Sequence, residues 1–184
     1  MSNANTLVIL DFETTGLSPN QGDRAIEIGA VRLVNGEITE EFQQLMNPGR
    51  TVSSFIEDYT GISNYMLKDA PPCSQVMADF VNFIGDDNLI AHNASFDKRF
   101  LEAELTQISS SYSGKFSCSL LLARRVFQDA PSYSLGNLIN HLGINTGDSY
   151  HRALFDAQVT AKLWLALIEE IQQKTQLEQV PFSL

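Results

Sequence analysis

The sequence predicts an α/β fold in which a mixed sheet carries packed helices. Three features point that way. An apolar run near the start ends in an acid and is followed by Gly16 and Pro19, as a buried strand does. An Ile- and Val-rich segment, 25–34, meets another strand-like segment, 37–45, across Asn35-Gly36, the dipeptide of a two-residue hairpin turn. Further along, helical and strand-like patterns alternate, which places helices against the sheet.

Taken in order, residues 6–11 form the first strand, 25–34 the second and 37–45 the third, an antiparallel start closed by Asn47-Pro48-Gly49. Within 74–84, Val76, Met77, Phe80, Val81 and Ile84 recur at helical spacing. Residues 88–91 make a short fourth strand. A helix over 95–105 turns Phe96, Phe100, Leu101 and Ala103 inward. Residues 116–119 form a fifth strand, followed by a helix through Phe127. A short helix over 134–142 is ended by Gly143. The last helix, 152–173, gathers Ala153, Ala157, Thr160, Ala161, Trp164, Ile168 and Ile171 near one face. No internal repeat, low-complexity tract or long linker interrupts the chain.

Composition bounds the function. At about 150 residues per domain, 184 residues make roughly one domain. Hydrophobic residues are 43% and charged residues 18%, enough apolar side chain for a packed core. The formal net charge is −10, which excludes a protein held to nucleic acid by a broad basic surface. It leaves open a nucleic-acid enzyme whose acids sit in a metal site. The longest clean apolar run, Leu7 to Leu10, is far short of the roughly 18 residues of a membrane span, so no membrane partner is expected. No basic segment precedes that run, so no export signal is expected either. Cys73 and Cys118 form no CxxC pair, which argues against a zinc ribbon or disulfide framework. The expectation is two buried thiols in a reducing cytoplasm.

Four acids and a histidine stand out. Asp11 and Glu13 close the first strand at positions i and i+2, so both point to one face. Adjacent carboxylates repel and raise each other's pKa, and the flanking Phe12, Thr14 and Thr15 bring no positive charge. A hard divalent cation balances them; two solvated acids at a strand end is the structural alternative. Asp97 falls in the first turn of its helix, where an acid also simply favours the macrodipole. Asp156 lies between Phe155 and Ala157 beside the packed stripe of the last helix, a poor place for an unpaired charge. His151 is five residues earlier, about 140° away on a regular helix, which puts it on a loop or first turn. Alone it is equally a capping or surface histidine. The five have a joint explanation. Two metal ions a few ångströms apart clamp the attacking and leaving oxygens of a phosphodiester, a task for about four carboxylates and a base titrating near neutrality. Such ions add four positive charges to a protein of net charge −10, so a polyanion is accepted locally.

At these residues the sequence resembles a known family. Asp11-Phe12-Glu13-Thr14-Thr15-Gly16-Leu17 resembles the first motif of the DEDD exonucleases, and His92-Asn93-Ala94-Ser95-Phe96-Asp97 resembles the second. His151-Arg152-Ala153-Leu154-Phe155-Asp156-Ala157 resembles the third in its histidine-containing, DEDDh, form. The proofreading epsilon subunit of bacterial DNA polymerase III and its stand-alone relatives belong to that group. The likeness runs from about Leu7 to Ile168. Between the motifs, Ile26-Glu27-Ile28-Gly29-Ala30-Val31, Thr60-Gly61-Ile62 and Tyr133-Ser134-Leu135-Gly136-Asn137-Leu138 fall in the expected order.

The resemblance implies a ribonuclease-H-like fold, a five-stranded mixed sheet with one antiparallel strand and helices on both faces. It implies one exonuclease domain over 1–175 and a flexible C-terminal tail over 176–184. The activity it implies is hydrolysis of 3′-terminal phosphodiesters with release of nucleoside 5′-monophosphates, from single-stranded or frayed ends. The cofactors are two divalent ions, Mg²⁺ or Mn²⁺. Asp11, Glu13 and Asp156 would hold the first ion, Asp11 and Asp97 the second, and His151 would take the proton of the attacking water. Phe12, Thr14, Thr15, Gly16 and Leu17 would line the pocket for the last nucleotide, with Thr60, Ile62, Asn93 and Phe96 as further members. For Phe12 and Phe96 ordinary core packing stands as the alternative.

The expected partner is a nucleic acid 3′ end, DNA favoured over RNA. An exoribonuclease, or a polymerase-associated subunit acting mainly through binding, are the rival readings. Against the second as the only role stands the complete acid set; no long partner-binding extension after the nuclease region is expected. Gln179 and Phe182 faintly suggest a peptide for a sliding clamp, against a disordered end. Lys98-Arg99 and Arg124-Arg125 are basic pairs that either touch phosphates or are solvated helix faces. Glu27 is expected to be structural, His92 and His141 non-catalytic, and Cys118, where some relatives carry an acid, a packing change.

Overall fold

The computed structural model describes residues 6–146 and 152–182. Strands β1 (Thr6–Thr14), β2 (Ala25–Val34), β3 (Glu37–Leu45), β4 (Asn88–Ala91) and β5 (Phe116–Cys118) form one sheet in the order β3-β2-β1-β4-β5. The Asn35-Gly36 turn, with both residues at positive φ, joins β2 to β3. β2 runs antiparallel to both of its neighbours, while β1, β4 and β5 are parallel to one another. The mixed sheet with a single antiparallel strand is therefore present.

Helices α3 (Cys73–Ile84) and α4 (Ala94–Gln107) cover one face. There Val8, Leu10, Phe12, Ile28 and Ala30 meet Met77, Phe80, Phe100 and Leu101. The other face belongs to α7 (Ala153–Thr175), whose Ala157, Ala161 and Trp164 pack on Ile9, Val31 and Ile90. Helices α5 (Ser119–Val126) and α6 (Leu135–His141) lie against α7 through Ala123, Leu138, Ile139, Leu163 and Leu167. The alternation of odd and even residues along β1 thus divides the two layers of core. β3 forms one edge, and its exposed Glu37, Glu40 and Glu41 discourage pairing with another chain. Among the described residues no helix is long and apolar enough to cross a membrane.

Three departures from the sequence reading matter for the site. First, β1 continues past Asp11 to Thr14, because its backbone stays paired with β2 as far as Thr14 opposite Ala25, across a bulge after Glu13. Second, the stretch after Gly49 holds two short helices, α1 (Ser54–Thr60) and α2 (Asn64–Lys68). The hydroxyl oxygens of Ser53 and Ser63 cap them by accepting from the N–H groups of Ile56 and Met66. Third, the tail folds back up to residue 182, where a free end was expected. The Phe182 ring stands 6.2 Å from that of Trp164, and its carbonyl accepts from the Ser117 hydroxyl at 3.4 Å. Of the two unpaired thiols Cys73 is buried, but Cys118 is only half-buried, where its sulfur accepts from the Ala94 N–H.

Candidate active site

The site begins with the register of β1 on β2. Asp11 faces Gly29 and Glu13 faces Glu27, so all four lie on the α7 side of the sheet. Gly29 is where α7 comes closest. A Cβ there would stand 2.0 Å from the Leu154 nitrogen and 2.2 Å from the Ala153 carbonyl carbon, so no side chain fits. Glu27, completely buried, fixes the start of the helix. Its carboxylate accepts from Nη2 of Arg152 at 2.6 Å, from Nε at 3.0 Å and from the Ala153 N–H at 3.1 Å. The structural role expected for Glu27 is thus met by a partner 125 residues away. One turn into α7 is Asp156, and each of Asp11, Glu13 and Asp156 offers a carboxylate oxygen within 4.8 Å of the others.

Asp97 reaches the same place from the opposite layer. It lies in the first turn of α4, is 2% exposed, and accepts the Phe12 N–H at 3.1 Å. The tight entry to α4 uses Asn93 in the left-handed conformation, which asparagine tolerates better than most residues. Asp97 is not part of the trio. Its charge nevertheless ranks after desolvation among the causes that push Asp11 up, ahead of Glu13, Asp156 and Glu27.

These carboxyl groups are strongly perturbed. Burial, then the charges of Asp156, Glu27 and Asp97, push Glu13 from its ordinary 4.5 to about 8, only partly offset by Arg152. Burial pushes Asp97 from 3.8 to about 8 against the opposing Phe12 hydrogen bond. Arg152, the cation beside the cluster, is already committed to Glu27. A group of hard oxygen donors, short of positive charge and free of soft ligands, fits divalent ions such as Mg²⁺ or Mn²⁺.

Asp11 and Asp156 open onto a groove of about 500 Å³, walled also by Tyr59, His92, Ser134, Leu135, Gly136, Asn137 and Asn140. Partial burial first, and then the charges of Glu13, Asp156 and Asp11, push the Tyr59 phenol up, in keeping with its place on this wall. His92 is held by Ser119 Oγ at 2.9 Å and the Tyr133 carbonyl at 2.8 Å, and burial lowers its pKa, which suits the non-catalytic reading. None of the wall residues other than the two acids was singled out as a pocket residue. The signal that reaches some of them is the 133–138 segment, quoted above only as part of the resemblance.

The expected pocket residues scatter. Leu17 is 78% exposed on a loop fixed by Asp23, which accepts from the Thr15 hydroxyl and the Ser18 N–H. The Asp23 carboxylate lies where a Cβ on Gly16 would be. Asn93 is exposed, Phe96 half-buried on the ring of Phe100. Phe12 is buried in the α3–α4 core, the packing alternative. Thr14 and Thr60 are buried and spend their hydroxyls on the Gly16 and Ile56 carbonyls. Ile62 has no exposed surface and packs with Ile26, Val52 and Leu67, so its side chain offers a nucleotide nothing. His151 lies outside the described residues.

Residues 8–164 match the family model RNase_T, described as exonuclease. The chain belongs to this exonuclease family. The DNA polymerase III PolC-type protein of Thermotoga maritima is 38% identical over 169 residues, 91% of this chain and 12% of the relative. The 3′-5′ exonuclease DinG of Bacillus subtilis is 36% identical over 175 residues, 93% of this chain and 18% of the relative. The chain thus spans less than a fifth of either relative. Among solved structures, exonuclease X in complex with 5′ overhanging duplex DNA is 28% identical, with a TM-score of 0.74 and 93% of each chain covered. The nuclease domain of 3′hExo, a DEDDh family member bound to rAMP, shares the fold at a TM-score of 0.77 and 22% identity, with 95% of this chain and 94% of that chain covered.

Proposed function

We propose that this exonuclease domain removes nucleoside 5′-monophosphates one at a time from single-stranded or frayed 3′ ends, with DNA favoured. The observation that carries the reading is the carboxylate trio of Asp11, Glu13 and Asp156 at the mouth of an open groove, with Asp97 buried beside Asp11. A nuclease named as 3′-5′ and an exonuclease solved on DNA, both similar to this chain, support the direction and the polymer.

Asp11, Glu13 and Asp156 would hold one divalent ion, and Asp11 and Asp97 would hold a second. Bound there, such ions supply Lewis acidity to the water and offset charge on the phosphate. His151 is the base: it takes a proton from the attacking water as the new O–P bond forms. The bond to the 3′ oxygen of the preceding nucleotide breaks, and that oxygen leaves as a hydroxyl after protonation from solvent. Arg152, clamped by Glu27, steadies the first turn of α7 and so the Asp156 carboxylate. The likeness to proteins named DNA polymerase III PolC-type supports an accompanying association with a DNA polymerase.

The test is a degradation time course on 5′-labelled DNA and RNA oligonucleotides of one sequence, with Mg²⁺, Mn²⁺ or EDTA, beside Asp11→Ala. A ladder shortening from the 3′ end, lost in EDTA and in the variant, is expected, with DNA cut faster. Faster cutting of RNA replaces the polymer assignment, and no ladder on either polymer overturns the reading.

A further inference from the structure

Two large aromatic side chains on α1, one of them a wall of the groove, are largely exposed. Phe55 is 70% exposed and Tyr59 53% exposed, one helical turn apart on α1. Their rings are stacked, with centroids 6.0 Å apart and planes 11° from parallel. Isolated exposed apolar residues are ordinary, but a preformed pair of parallel rings is an apolar surface that water solvates poorly. Tyr59 is itself a wall of the groove that Asp11 and Asp156 enter, and Phe55 stacks beside it.

We propose that the Phe55–Tyr59 ring pair is a stacking ledge for the unpaired bases that precede the terminal nucleotide held at the acids. The inference rests on the exonuclease reading and adds to it which part of the substrate is held, and by what. Two exposed rings offer faces to about two bases. Charge gives the strand no hold here: the exposed Asp58 lies on the same helix and the whole chain carries −10. What the ledge offers is stacking, which is tolerant of sequence because every base has a π face. The bases must be unpaired, because a duplex hides their faces in its own stack. The ledge therefore makes the enzyme prefer 3′ ends with two or three unpaired nucleotides.

The experiment measures kcat and KM for an unpaired oligonucleotide and for the same oligonucleotide with abasic sites at the second and third positions from the 3′ end. Wild type is compared with Phe55→Ala, Phe55→Leu and Phe55→Trp; residue 55 is exposed, so these variants keep the fold. Binding of the same oligonucleotides in EDTA, read by fluorescence anisotropy, runs beside it. Phe55→Ala is expected to raise KM and weaken binding at least about fivefold on the normal strand, the lower end for loss of one stacked base, with kcat unchanged. On the abasic strand the same change does nothing further, and Phe55→Trp restores binding of the normal strand. Phe55→Leu behaves like alanine if stacking is the interaction. The proposal is overturned if Phe55→Ala leaves KM and binding unchanged, if it weakens normal and abasic strands equally, or if leucine serves as well as phenylalanine. A wild-type protein that binds with the expected dependence but shortens no strand overturns the exonuclease reading and leaves the ledge standing.

Discussion

The crowded carboxylates make proton release the sharpest test of the site. Glu13 and Asp97 each have a folded pKa of about 8, against ordinary values of 4.5 and 3.8. At pH 7 each is then protonated in about nine molecules of ten when metal is absent. A divalent ion needs the ionised form, so its binding expels those protons. Isothermal titration of Mn²⁺ into EDTA-stripped protein, repeated in buffers of different ionisation enthalpy, should therefore give at least about two protons released at pH 7, with any proton that the raised Asp11 holds adding to them. The number falls as the pH rises through 8. Glu13→Gln, a near-isostere, removes one of them.

The same shifts fix the sign of the pH dependence. Because the folded pKa values lie above the unfolded ones, the two groups favour folding most below about pH 4 and oppose it as they ionise up to about pH 8. Raised to about 8 from 4.5 and 3.8, Glu13 and Asp97 each cost roughly 5 to 6 kcal/mol across that window. Two such groups rival the whole stability of an ordinary domain, roughly 5–15 kcal/mol. Stripped Glu13→Gln should thus equal wild type near pH 4 and exceed it at pH 9 by roughly 10–20 °C in Tm, from about 5 kcal/mol at 2–4 °C per kcal/mol. Saturating Mn²⁺ should reverse the order at pH 9, because the variant lacks a ligand. Proton release below about half a proton at pH 7, or a stripped variant no more stable than wild type at pH 9, would refute the electrostatic account.

Three further outcomes are expected. Gly29→Ala drives a methyl into the backbone of Ala153 and Leu154; it should cost about 1–3 kcal/mol in urea unfolding and lower kcat by displacing Asp156. Glu27→Ala strands the Ala153 N–H and the Gln43 amide, while Arg152, 40% exposed, can turn to water; the unfolding cost should be about 2–3 kcal/mol, below the 3–5 of a fully buried pair, and Glu27→Gln should lose less. With divalent metal held constant, the slope of log affinity against log salt for a single-stranded oligonucleotide should be shallower than about −2, fewer than three phosphates at −0.7 each. A steeper slope would reveal a basic track that the net charge of −10 argues against.

What the sequence made legible follows the range of each interaction. The hairpin and the shared face of Asp11 and Glu13 depend on residues one or two apart, and both were readable. The grouping of the acids joins residues far apart in the chain; paired-carboxylate chemistry suggests it, and the likeness of three motifs to one family strengthens it. Helices α1 and α2 are too short to show an apolar period, and only their serine caps mark them, so the aromatic wall of the groove stayed out of sight. The side chain of Ile62 was expected at the substrate, yet an apolar residue beside a turn is as well placed to plug the small core with Ile26 and Leu67. Glu27 shows the intermediate case: a strand position says that an acid is held, but not that Arg152 holds it.

The position of the acids follows from how the layers are connected. β4 runs parallel to β1, so α4 starts at the end of the sheet where β1 finishes, and its first turn brings Asp97 there. α7 starts over the same end on the opposite face, because Gly29 lets its backbone settle on β2 and Glu27 fastens its first residues. Acids from two layers separated by a sheet can meet only beyond the ends of its strands. Phe12 ties the halves together: its ring belongs to the α3–α4 core, while its N–H donates to Asp97 between the two acids that face α7. The crowding that opposes folding is therefore set by the well-packed ends of three elements and not by a mobile loop. The carboxylates cannot move apart to relieve it, and a cation entering the cluster finds its ligands already gathered.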